Sequence, residues 1–482
     1  MSSDNEQKLP NTLNASPTKN FFVEMLTRDI ELEDAILDLL DNCVDGIQRT
    51  IKNHSPSDNP YENFWAKITF SSEGFTIEDN CGGIPINVAR DYAFRMGRPD
   101  NNIEGDLYTI GTYGIGMKRS IFKMGRASEV ISKTEEDSFK VTINPEWLTN
   151  DRDWDLPIEF INPSLNENGT SIKITALHQS IIDAFSSPKS ILDNSLIAKI
   201  SHYYSYIIHK GFTVSINGVK VTPEPLNLLW DGAARIGQQN TIAPYLYESE
   251  KNGVDIKLAI GFYRPTASEE EVNDEMEGNR RTSETAGWTI VCNDRVVLYC
   301  DKTRLTGWGE EKVPSYHPQF IAISGVVYFR SPDARKLPIT TTKRGIDASS
   351  DIYLYVKNFM REGLRNFTSY TNKWKANPVE EKERASQAQP IAPNELFAQI
   401  PDDKWTKVRS KTPKSETKPE RKYLPSLPMP ESKNGEASKK SIRFSRTPKE
   451  IKIVAEYLFE DPEREPSDVG NECFEKVLRE AT

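Results

Sequence analysis

The residue pattern predicts an α+β protein built in more than one unit. Residues 21–51 keep a helical spacing of apolar side chains and contain no proline. WAKITF (65–70) and GFTIED (74–79) alternate apolar and polar residues around a Ser-Ser-Glu turn, as a hairpin does. ASEVIS, SFKVTIN and TSIKITAL read as further strands, so helices back a mostly antiparallel sheet. A second block begins near residue 180. FTVSINGVKV, GVDIKLAIGFY, WTIVCNDRVVLY and FIAISGVVYFR read as its strands, and 351–375 as a helix with few breakers.

Composition narrows the class. At roughly 150 residues per domain, 482 residues suggest about three domains. With 37% hydrophobic and 27% charged residues, the chain can bury a core and is not wholly disordered. The five cysteines form no CxxC pair and the five histidines are scattered, which argues against a disulfide framework, a zinc ribbon and a protein-ligated transition metal. Apolar runs fall short of the roughly 18 residues needed to cross a bilayer, and the first twenty residues have no apolar leader segment. The expectation is a cytoplasmic protein with no membrane partner.

Charge divides the chain further. Residues 403–450 carry 14 Lys/Arg against 6 Asp/Glu, net +8, so the rest of the chain carries -18 to give the total of -10. The stretch 376–450 also holds 10 of the 30 prolines. It reads as a disordered basic linker, serving either as a solvated tether or as a nucleic-acid arm. The expected order is a flexible arm (1–20), a first domain (21–180), a second (181–375), the linker (376–447) and a short helical segment (448–482).

Three constellations carry chemistry. On a helix from Ile36 to Arg49, the side chains of Leu40, Cys43, Val44 and Ile47 share the face of Ile36. Asp38, Asp41, Asn42 and Asp45 occupy the opposite sector, about 100° wide. A solvated face normally intersperses Lys with Glu, and Asp and Asn cost helix stability. Oxygen donors at this spacing suit a hard cation such as Mg²⁺, and one carboxylate can orient water. Next, Asp79-Asn80-Cys81-Gly82-Gly83 ends a strand. It is ordinary turn material, but Asp79 there can also accept from an exocyclic amine while glycine admits a flat base. Finally, Gly111-Thr-Tyr-Gly114-Ile-Gly116-Met-Lys118 runs into a helix. Its glycines can turn N–H groups toward an anion, and Lys118 adds charge. The spacing is neither a Walker A loop nor a dinucleotide fingerprint. Gly169-Thr170 then opens a strand.

In this order the motifs resemble the GHKL ATPase superfamily (gyrase, heat-shock chaperone, histidine kinase and MutL ATPases). LDLLDNCVDG, DNCGGI, GTYGIGMK and NGTSIKI match its N, G1, G2 and G3 boxes over roughly residues 20–180. The resemblance implies a Bergerat-type ATP-binding helix and sheet sandwich with a lid over about 86–113. It implies ATP and Mg²⁺ as ligands: Asn42 would hold Mg²⁺, with Asp45 beside it in the nucleotide set, and Asp79 would take the adenine amine. Gly83 and Thr170 would line the base, while Gly111, Gly114, Gly116 and Lys118 would wrap the phosphates. Asp38 stands where the family usually has a glutamate general base, one methylene shorter, which implies slow hydrolysis; Asp41 is the alternative. Cys81 replaces the usual first glycine of G1.

Residues 182–350 resemble an S5-like α/β transducer domain, with CNDRVVLY similar to a strand bearing an Asn-x-Arg turn. In such proteins a lysine reaches the γ-phosphate. Lys343 is the candidate, with Lys336 and Arg344 as alternatives. The chain is most similar to prokaryotic MORC/MutL-like ATPases, a group often associated with restriction and antiphage defence. The resemblance implies an ATP-dependent homodimeric clamp, with DNA held by the basic linker 403–450 and an effector or nuclease as possible partner. A chaperone-like ATPase on protein clients and an ATP-gated scaffold with little turnover stand as alternatives.

Overall fold

The computed structural model describes residues 18–52, 57–95, 107–109, 114–150, 153–162, 164–186, 190–278, 284–340, 343–375, 377–408, 419–430 and 445–481. The chain divides into two compact units, residues 1–430 and 431–482.

In the larger unit the first sheet comprises β1 (Trp65–Ser71), β2 (Gly74–Asp79), β3 (Gly125–Lys133), β4 (Ser138–Ile143), β5 (Ile158–Phe160), β6 (Gly169–Leu177), β7 (Thr213–Ile216) and β8 (Val219–Lys220). Their spatial order is β5-β4-β3-β6-β2-β1-β7-β8. All neighbours are antiparallel except β1 and β7, which are parallel with Ile68 opposite Ile216. The inward residues of β1 and β2 alternate as the hairpin pattern requires, with Ile68 opposite Ile77. They pack under the acidic helix, Leu32–Ile51, whose residues Ala35 to Leu40 and Cys43 to Ile47 are mostly fully buried. A shorter helix, Gly116–Met124, lies against it.

This sheet corrects the boundary expected near residue 180. β7 and β8 belong to the first sheet, and Leu196, Ile200 and Tyr204 enter the first core. A parallel partner far along the chain leaves no local pattern.

The second sheet follows with β9 (Leu228–Trp230) outside it, then β10 (Tyr245–Lys251), β11 (Val254–Phe262), β12 (Gly287–Cys292), β13 (Arg295–Asp301) and β14 (Ile323–Arg330). WTIVCNDRVVLY is therefore two strands, reversing at Asn293 and Asp294, both of which hold positive φ. The long helix Asp351–Trp374 covers this sheet with Tyr353, Val356, Met360, Leu364 and Phe367.

The stretch expected as disordered linker also departs from expectation. Within 377–430 lie the helices Pro378–Ala385 and Pro393–Gln399, β15 (Gln389–Ile391), β16 (Thr406–Lys407) and β17 (Arg421–Tyr423). β15 pairs with β9, and β17 extends the second sheet beside β10. Leu396, Phe397, Ile400, Trp405 and Tyr423 are buried in an apolar cluster. These few apolar residues are short clusters and single positions between prolines and charges, so composition averaged over the stretch conceals them. Residues 409–418 and 431–444 of that region lie outside the described residues, as do 1–17 of the expected arm. The arm's end is helical: Lys19 is buried at the start of helix Lys19–Thr27, with Nζ donating to the Trp147 carbonyl at 2.7 Å.

The smaller unit holds two helices, Pro448–Phe459 and Pro466–Ala481. Thr447 and Glu450 cap the first reciprocally.

Among the described residues no helix is long and apolar enough to cross a membrane.

Candidate functional site

A cavity opens between the acidic helix, the end of β2, the start of β6 and the helix Gly116–Met124. Its lining includes Asp38, Asn42, Asp45, Asp79, Gly83, Gly114, Gly116, Lys118, Thr170 and Lys343. The structure thus brings together every first-choice candidate except Gly111, which lies outside the described residues; the alternatives Asp41, Lys336 and Arg344 do not line the cavity.

Asp79 closes the inner end. Its Oδ1 accepts from the backbone N–H of Cys81 at 2.8 Å and of Thr170 at 3.3 Å. Its Oδ2 accepts from the Cys43 thiol at 3.4 Å. Burial pushes its carboxyl up to about 6, although the backbone donors and thiols pull the other way. Beside it Gly83 holds φ +74, and a Cβ there would lie 2.2 Å from the Lys133 carbonyl oxygen. Only glycine admits this close approach of three strand ends. Both cysteine side chains lie near Asp79, and burial raises the Cys81 thiol to about 11.

The opposite end is charged. Lys118 is buried, and Nζ donates to the Ala93 carbonyl at 2.9 Å and to that of Gly114. It thereby ties a residue within the expected lid to one just past its end; residues 96–106 and 110–113 of the lid lie outside the described residues. Burial pulls its ammonium down to about 7.

The acidic stripe is not a solvated face. Asp38, Asp41 and Asp45 are all buried. Asp38 lines the cavity and accepts from Arg119. Asp41 points toward the second sheet: its Oδ1 accepts from Tyr204 at 2.6 Å and from Arg295 Nε at 2.9 Å. Its Oδ2 accepts from Lys343 Nζ at 3.2 Å. Lys343 also stands 3.9 Å from Asp38. Burial opposes charge on Lys343, but Asp41, Asp38 and Asp45 outweigh it and hold the ammonium above its usual range. Burial likewise opposes charge on Asp41, and Lys343 and Arg295 outweigh it in turn.

Lys343 reaches the cavity from a tight excursion closed by the Ile339–Ile346 bridge, and it holds φ +57, rare for a lysine. Neither alternative lines the cavity. Lys336 lies near the turn at Gly253, and Arg344 pairs with Asp34.

Arg119, Arg295 and Tyr204 were not singled out by sequence. Arg295 sits in the Asn-x-Arg turn motif and Arg119 directly follows Lys118, so adjacency was the available signal; Tyr204 offered none.

The amide of Asn42 lies at the cavity with its Nδ2 buried and unpartnered among the described residues. No cluster of three or more His, Cys, Asp or Glu that could hold a metal occurs among the described residues. A single protein amide at the cavity is compatible with Mg²⁺, which is commonly held by few protein ligands together with substrate phosphates.

A buried carboxylate stands beside a glycine turn at one end of the cavity, with cations and carboxylates at the other. Residues 30–179 match the family model of histidine kinase-, DNA gyrase B- and HSP90-like ATPases, which supports a GHKL-type ATPase domain over those residues. Domains of this family bind ATP, typically with Mg²⁺, and hydrolyse it in general. No curated protein matches the chain.

Proposed function

We propose that the chain is a Mg²⁺-dependent ATPase acting as a nucleotide-gated homodimeric clamp on DNA. The observation that carries this reading is Lys343. It comes from beyond the second sheet, yet its ammonium lies 3.2 Å from Asp41 and 3.9 Å from Asp38 on the acidic helix. A cation so placed gives the second sheet direct leverage on the nucleotide's terminal phosphate.

In the mechanism, Asp79 accepts from the adenine amine, with Gly83 and Thr170 beside the ring. Lys118 and the N-terminus of helix Gly116–Met124 hold the phosphates. Asn42 would hold Mg²⁺, with Asp45 near it, and the ion would neutralise phosphate charge. Asp38 orients the attacking water, and Lys343 offsets the negative charge that develops on the phosphoryl oxygens. Transfer of Lys343 from Asp41 to phosphate would shift the second sheet against the ATPase sheet, and hydrolysis would reset it.

The basic residues of 403–450 are the proposed DNA contact. Two of them are committed within the fold, since Arg421 pairs with Glu248 and Asp402, and Lys422 with Glu362. Arg409, Lys411, Lys414 and Lys418, and Lys433, Lys439, Lys440 and Arg443, lie outside the described residues. A place in restriction or antiphage defence, with a nuclease or other effector, rests on the MORC/MutL resemblance alone. The Arg119–Asp38 pair supports a second reading, an ATP-gated scaffold with little turnover.

The test is ATP turnover with Mg²⁺, with and without double-stranded DNA, in the wild type, Asp38→Asn and Asn42→Ala. Turnover stimulated by DNA and lost in both variants is expected. Turnover indifferent to both changes would remove the site assignment. ATP binding without turnover would favour the scaffold, and stimulation by unfolded protein instead of DNA would favour a chaperone.

A further inference from the structure

Arg119 lies in the helix Gly116–Met124, one residue beyond Lys118, and lines the cavity. Its Nη2 donates to Asp38 Oδ2 across the gap between the two helices. The side chain is 13% exposed, and that of Asp38 is 5% exposed. A guanidinium offers five donors in a planar fork suited to paired oxygens. Here its Nε is buried and has no acceptor among the described residues. An unpaired buried donor on a cation is costly, and a ligand with several anionic oxygens relieves that cost. The other oxygen of Asp38 faces Lys343 at 3.9 Å, so the carboxylate sits between two cations.

We propose that Arg119 is a phosphate-binding residue whose ion pair with Asp38 locks the resting site. The incoming terminal phosphate takes the guanidinium from Asp38, so the carboxylate is released to orient water only once nucleotide is in place. This deepens the reading of the cavity as an ATP site and rests on it. It also reconciles a cavity built for hydrolysis with a base that is occupied in the resting protein. A strut that merely joined the two helices would have no reason to leave a buried donor unpaired beside a phosphate subsite.

The test is calorimetric titration of the full chain with ATP and with AMP, in the presence of Mg²⁺. Wild type is compared with Arg119→Met, Arg119→Lys, Asp38→Asn and the Asp38→Asn/Arg119→Met double variant. Arg119→Met is expected to weaken ATP about tenfold or more while leaving AMP within about twofold, and Arg119→Lys to recover part of the loss. Asp38→Asn is expected to tighten ATP, because the guanidinium no longer has to leave a carboxylate, and the gain should vanish in the double variant. Equal weakening of ATP and AMP, or a gain from Asp38→Asn that survives loss of Arg119, would overturn the proposal. AMP reports the base pocket separately, so a wild type that binds neither nucleotide would instead sink the site reading, and this inference with it. If the methionine variant does not fold, Arg119→Lys carries the comparison: ATP affinity equal to wild type, with Asp38→Asn giving no gain, would overturn the proposal.

Discussion

Replacing Lys343 by methionine keeps an unbranched stem of similar length and removes only the ammonium. Asp41 would retain Tyr204 at 2.6 Å and Arg295 at 2.9 Å on Oδ1, while Oδ2 would lose its partner at 3.2 Å. A hydrogen bond between charged groups contributes about 1.5–3 kcal/mol, and the buried ammonium no longer has to be desolvated. Removing one partner of a buried ion pair nevertheless leaves carboxylate charge uncompensated, typically at about 3–5 kcal/mol, and Arg295 and Tyr204 on Asp41 place the loss near the lower end, about 3 kcal/mol, seen as a clear fall in the thermal midpoint. Chemistry should suffer as well. A missing cation at the transferring phosphoryl group costs about 10²–10³ in kcat, as for other preorganised charge-stabilising groups. Phosphate release at saturating ATP reads this directly, and titration of bound ATP separates it from lost affinity. Lys336→Met and Arg344→Met serve as comparisons, since neither residue lines the cavity. Lys343→Met turning over within about threefold of wild type, with either comparison variant inactive, would refute the assignment; the threefold margin is about half a logarithmic unit of rate.

Three further expectations concern the two ends of the pocket. Asp79, pushed up to about 6, accepts more strongly from the adenine amine once it is ionised, so AMP affinity should rise as pH climbs through 6. Lys118, pulled down to about 7, must be charged to hold phosphates, so ATP affinity should also decline above 7 while AMP shows little of that second limb; fluorescence titrations from pH 5 to 9 test both, and pH-independent AMP binding would contradict the role of Asp79. Gly83→Ala would force a Cβ to within 2.2 Å of a backbone carbonyl at φ +74. It should cost about 2–4 kcal/mol and weaken adenine binding, and an unchanged thermal midpoint would argue against the tight approach.

The acidic helix was legible because four polar residues against five apolar ones on opposite faces is a strong local periodicity. What the periodicity could not say is that both faces are buried, since Asp41 turns away from the cavity toward Arg295. The β1–β2 hairpin was legible from its alternation, and the glycine loop from its spacing. Arg119 was not, because its value lies in a contact across to Asp38 rather than in its neighbours along the chain. Lys343 could be chosen from a resemblance, but the preference over Arg344 depends on which of two adjacent side chains faces the pocket. The domain boundary failed for a related reason, as the β1–β7 pairing joins residues about 150 apart, beyond any local pattern.

The pairing of β17 with β10 has a consequence for how far the folded body must extend. β10 would otherwise present unsatisfied N–H and C=O groups from residues 246–248, an open template for other chains. Arg421, Lys422 and Tyr423 occupy that rim, and Glu420 anchors them by accepting from the hydroxyls of Tyr247 and Tyr355. The residues that read as a tether therefore act as a selvedge, finishing a sheet that would fray into self-association if the chain were cut at 375.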